Sequence, residues 1–139
     1  MSLFIETYRG TVSPAECDNL GHMNVQHYFA AVSNGMFAMM ERLGLTPGEI
    51  DRRQMSFAVV HAETDFHREL RSGDAIVLES TLLELGDKSA TFQHRLKNLS
   101  TGALAMTTDF KCVLLDLRKR EALPIPDDIR ALAAELGAA

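Results

Sequence analysis

At 139 residues, with 46% apolar and 24% charged residues and a formal net charge of -5, the chain is sized for one ordinary domain with a real core and is too short for two. Its modest acidity and scattered basic residues exclude the clustered positive face of a nucleic-acid binder. No apolar run reaches the roughly 18 residues that span a bilayer, and no basic segment precedes an apolar signal core at the amino terminus, so the expectation is a cytoplasmic protein with no membrane partner.

Cys17 and Cys112 lie far apart and match no disulfide or CxxC pattern, which points to reduced thiols. There is no repeat, low-complexity tract or linker, so residues 1–139 read as a single domain.

Residues 4–12 alternate loosely through Phe4, Thr7, Tyr8 and Val12 and suit a first strand, which Pro14 ends. A compact polar turn over 16–24 leads into an apolar segment over 25–43, where Tyr28, Phe29, Val32, Met36, Phe37, Met39, Met40 and Leu43 recur at helical spacing. Alanines fill much of the remaining circumference, so the helix is expected to be buried on most sides, with Gly44 as its stop. A loop through Thr46, Pro47 and Gly48 to Arg53 precedes four strand-like runs over 56–69, 75–85, 89–99 and 104–117. The turns between them at 72–74, 86–88 and 98–102 are short, so consecutive antiparallel pairing is the economical topology. Pro124 and Pro126 end the last strand, and Asp127 is placed to cap a terminal helix reaching about Leu136. The fold class is therefore α+β: an antiparallel five-stranded sheet wrapped around one long buried helix, with a short C-terminal helix.

The chemistry concentrates at the start of the long helix. Asn24 is a suitable N-cap, and the free N–H groups beside it, with the positive end of the macrodipole behind them, favour an oxygen bearing negative charge. Asp18 stands six residues earlier in a turn that Gly21 lets fold tightly. A carboxylate and a polarising donor set are thus brought close together.

The run Asp18-Asn19-Leu20-Gly21-His22-Met23-Asn24, followed by Tyr28, resembles the signature of the hotdog-fold acyl-CoA thioesterases of the 4-hydroxybenzoyl-CoA thioesterase-like branch. Residues 66–74, Phe-His-Arg-Glu-Leu-Arg-Ser-Gly-Asp, resemble that family's turn between the second and third strands, so the likeness covers nearly the whole chain. The resemblance implies a hotdog fold, homodimers often paired into tetramers, and acyl-CoA bound at the subunit interface. It also implies thioester hydrolysis without a cofactor or metal. Asp18 would attack the carbonyl or activate a water, and a main-chain N–H near Val25 would hold the carbonyl oxygen. His22 would orient the acyl group or a water, and Asn24 would aim the helix start. Gly21, Tyr28, Arg68 and Lys88 complete the substrate-binding set, the two cations as candidates for the coenzyme A phosphates ahead of Arg52, Arg53 and Arg71.

Each residue also has a plainer reading. Asp18 suits an Asx-turn, His22 a bond to a nearby carbonyl, and Tyr28, Phe29, Met36, Met39 and Met40 ordinary core positions. Cys17 has no base at a spacing that would make it a nucleophile. His61, Glu63, Asp65 and His67 alternate along one strand but lack zinc-type spacing, so a solvated face explains them. Two other functions compete with hydrolysis: a non-catalytic acyl-CoA-binding protein on the same fold, and a hotdog hydratase or dehydratase, whose His-containing helix signature is absent here.

Overall fold

The structure is a computed structural model and describes residues 3–137. Strand β1 (Ile5–Thr11) leads through a single 3-10 turn at Pro14–Glu16 to the long helix α1 (Val25–Arg42) and then the short helix α2 (Pro47–Arg53). Strands β2 (Met55–Phe66), β3 (Ala75–Leu85), β4 (Ser89–Asn98) and β5 (Leu104–Asp116) follow, and helix α3 (Asp127–Glu135) closes the chain. All five strands form one antiparallel sheet in the order β1-β3-β4-β5-β2, with α1 packed against one of its faces.

The order corrects the expected consecutive pairing. β3, β4 and β5 do follow one another through tight turns, but β2 docks on β5 along its full length, from Met55 opposite Asp116 to Phe66 opposite Met106. Gly73 takes the positive φ of a turn residue, at 93°, yet the turn belongs to a crossover instead of a hairpin. That crossover spans the end of the sheet and is stitched down as it goes. His67 N–H donates to Ala105 O, Met23 N–H to Leu70 O, and Gly73 N–H to Val12 O. Leu70, at its middle, is fully buried.

The stretch expected to be a loop before β2 is in part the helix α2. Thr46 Oγ1 accepts from Glu49 N–H at 3.2 Å and Pro47 takes the first helical position, a start signal legible in Thr-Pro-Gly-Glu. At the other end of the chain Pro126 occupies the N-cap position of α3, and Asp127 is its first helical residue.

Helix α1 is buried on one face only, through Tyr28, Ala31, Val32, Gly35, Met36, Met39 and Met40. Ala30, Ser33, Asn34 and Phe37 face outward, because a single sheet covers a single side of a helix. The closest approach is at Gly35, where an added Cβ would collide with the Leu78 side chain and lie 2.9 Å from Thr7 Oγ1. Beneath it runs a buried polar chain. Thr7 Oγ1 lies 2.7 Å from Ser80 Oγ, Ser80 Oγ 2.6 Å from His94 Nδ1, and His94 Nε2 3.2 Å from Met36 Sδ. Burial pushes the His94 imidazole down to about 4, so the ring is neutral. Donation from Nε2–H to the thioether and from the Ser80 hydroxyl to Nδ1 satisfies both nitrogens.

Candidate active site

The polar turn between β1 and α1 is closed by its own backbone. Asp18 N–H donates to His22 O at 3.1 Å, Gly21 N–H to Asp18 O at 3.0 Å, and Asn24 N–H to Glu16 O at 2.9 Å. Gly21 sits at φ 82°, which a side chain would strain, and its own place is in the turn instead of on the pocket wall.

Within this loop Asp18 is fixed from two sides. Its Oδ1 accepts from Leu20 N–H and its Oδ2 from the Asn24 side-chain amide, both at 2.9 Å. The Asn24 bond first, then the Leu20 bond, hold the carboxyl below its ordinary range, so it is ionised at neutral pH. The Leu20 bond is the Asx-turn expected from sequence. The Asn24 bond joins the carboxylate to the helix, because Asn24 Oδ1 also accepts from Gln26 N–H at 3.1 Å as the N-cap of α1.

These residues open on a cavity of about 470 Å³ lined by Asp18, His22, Asn24, Val25, Tyr28 and Arg68, together with Leu20, Met23, Phe66, His67 and Glu69. Val25 is the first residue of α1, half exposed and part of the cavity lining, one position before the capped Gln26. His22 Nδ1 donates to Met23 O at 3.2 Å, which is the plain carbonyl bond and leaves Nε2 as the nitrogen open to another partner. Tyr28 is buried, and that burial raises its phenol. Arg68 also borders a smaller cleft of about 260 Å³ with Asn98 and Thr101.

Lys88 is not brought to this site within the chain. It lies in the β3–β4 turn, where its carbonyl accepts from Leu114 N–H, at the opposite end of the sheet from Phe66 and Met106. Arg52 and Arg53 pair with Glu49 and Asp128, and Arg71 with Glu69. His61 and His67 are not gathered with acids into a metal cluster, and no such cluster occurs among the described residues. The sequence reading missed Phe66, His67 and Glu69 as pocket residues. They reach it only because β2 ends beside the start of α1, for which no local signal exists.

Residues 12–132 match the model of a family described as the thioesterase-like superfamily. No curated protein matches the sequence. Among solved structures, a Staphylococcus aureus protein in complex with CoA superposes with a TM-score of 0.88 at 18% identity, covering 98% of this chain and 85% of that one. A 1,4-dihydroxy-2-naphthoyl-CoA thioesterase from Synechocystis gives 0.82 at 16% identity, over 96% and 98% of the two chains. A gentisyl-coenzyme A thioesterase gives 0.78 at 23% identity, over 88% and 98%. At these identities the likeness is one of fold. No helix among the described residues is long and apolar enough to cross a membrane.

Proposed function

The chain belongs to the thioesterase-like superfamily, and from that premise we propose that it hydrolyses acyl-CoA thioesters to the free acid and coenzyme A at the pocket beside Asp18. One observation carries the reading: the Asn24 side chain holds the Asp18 carboxylate with one end and caps α1 with the other, at 2.9 and 3.1 Å. The carboxylate and the helix start thus face one cavity in fixed relation.

The thioester carbonyl oxygen sits at the Val25 N–H, where the helix start stabilises the charge that develops on it. A preorganised donor of this kind is worth about 3 kcal/mol in other hydrolases. Asp18, ionised, attacks the carbonyl carbon to form a mixed anhydride that water then cleaves, or takes a proton from the water that attacks. Either route ends in one carboxylic acid and one thiol. The thiolate leaves without strong protonation, so the absence of an obvious general acid is no obstacle. His22 Nε2 faces the reacting water or acyl group, and Arg68 takes a coenzyme A phosphate at the pocket mouth.

The working unit in this reading is a homodimer formed through β2. That strand is an edge strand of 12 residues, with Val59 and Val60 exposed near its middle. A long unpaired strand edge is an aggregation liability unless a second strand covers it.

The test is thiol release from a panel of aliphatic and aromatic acyl-CoA thioesters, with acyl carrier protein thioesters alongside. Release from at least one member is expected. Tight binding of acyl-CoA with no release would identify a binding protein, and hydration of an enoyl-CoA a hydratase.

A further inference from the structure

The motif residues leave Phe66 without a role, yet this last residue of β2 lines the pocket with 48% of its surface exposed. Apolar area left in water on a pocket wall is area that a ligand would cover. The sheet, and not a loop, sets its place. Phe66 pairs with Met106 of β5, and the next two residues, His67 and Arg68, both donate their N–H groups to Ala105 O, at 2.8 and 3.2 Å. The ring is held edge to face by Tyr28 at 5.2 Å and by Phe29 at 6.5 Å between centroids. Behind it Phe29 stacks on Phe110 at 6.3 Å, and Phe110 stands edge-on to His94 at 5.5 Å. An aromatic row therefore runs from the pocket inward, and neither Phe29 nor Phe110 reaches the pocket wall. Phe66 stands between them and it.

We infer that Phe66 is the end wall of the acyl compartment and sets the largest acyl group the enzyme accepts. The inference rests on the thioesterase reading, which puts the carbonyl at the start of α1. From that point the acyl chain packs on the apolar lining residues Leu20, Val25 and Tyr28 and stops at Phe66, while Asp18, His22, Arg68 and Glu69 supply the polar lining. Removing the ring opens the compartment toward Phe29 and Phe110, and longer acyl groups gain contacts that the wild-type wall denies them.

The experiment measures kcat/KM for thiol release from straight-chain CoA thioesters, acetyl through palmitoyl, with the wild-type protein, Phe66→Ala and Phe66→Leu. A methylene in an apolar pocket changes selectivity by about 10-fold or more. Phe66→Ala is expected to raise the ratio of long-chain to short-chain kcat/KM by at least about 10-fold, with Phe66→Leu between it and wild type. Phe66→Leu keeps an apolar side chain against Tyr28, so it decides the matter if Phe66→Ala does not fold. The wild-type chain-length order retained in the folded variants overturns the end-wall role and leaves the thioesterase reading standing. A wild-type protein that releases thiol from no member of this straight-chain panel overturns the end-wall role, and one that also releases none from aromatic acyl-CoA or acyl carrier protein thioesters overturns the thioesterase reading as well.

Discussion

The side-chain amide of Asn24 donates to Asp18 Oδ2 at 2.9 Å, while the oxygen of the same amide caps α1. Asn24→Ala breaks both bonds at once. Loss of the cap is expected to cost about 1 kcal/mol in unfolding free energy. Because the Asn24 bond is the leading reason that the Asp18 carboxyl is held low, the acid limb of kcat/KM moves up toward the ordinary carboxylate range in this variant. A pH–rate profile beside a denaturant titration reads the two effects separately.

Asp18→Asn and Asp18→Ala are each expected to lose at least about a hundredfold in turnover. Asp18 is on a partly exposed loop, so the melting temperature changes little. Near-native turnover in both variants would remove the carboxylate from the mechanism.

Stability carries its own pH signature through His94. The folded ring titrates at about 4 against an ordinary value of 6.5. Between those values the unfolded chain binds the proton and the folded one does not, so stability is lost as pH falls from 6.5 to 4. The shift corresponds to about 3 kcal/mol across that window. The groups against the ring are the Ser80 hydroxyl, the Met36 thioether and the Phe110 ring, none of which titrates there. His94→Gln keeps a donor and an acceptor, and it should flatten the fall in melting temperature between pH 6.5 and 4.

Gly35→Ala places a methyl group against Leu78 and Thr7, both on the sheet side of α1. The gain in helix propensity, about 1 kcal/mol, is smaller than the cost of prising the helix from a packed face, about 1–3 kcal/mol. A net loss of about 1 kcal/mol is expected by urea unfolding, with reduced turnover because the same helix carries the site at its start.

Val60→Lys puts a charge on the exposed edge strand, where Val60 is 58% exposed in the protomer. Sedimentation velocity is expected to show a dimer for the wild-type protein and a monomer for the variant. Turnover should fall with the dimer fraction. A wild-type monomer with full activity would dispose of the dimer reading.

The features legible in the sequence were those that a few neighbouring residues decide. The Asx-turn at Asp18, the cap at Asn24, the positive φ at Gly21 and the stop at Gly44 each depend on side chains and backbone within one or two turns of chain. The run from Asp18 to Asn24 therefore announced its own geometry, whereas the alternation Ala62, Thr64, Phe66 along β2 did not mark a buried face.

What the sequence by itself determined is the polar turn, the capped helix start and the existence of five strands, because those rest on short-range hydrogen bonds and on alternation. Only the tertiary structure decided that β2 pairs with β5, that Phe66, His67 and Glu69 join Asp18 around one cavity, that Lys88 ends up at the other end of the sheet, and that α1 shows one face to solvent. Those outcomes depend on which distant surfaces bury one another. A period of two along a strand tells its sides apart but does not name its neighbour.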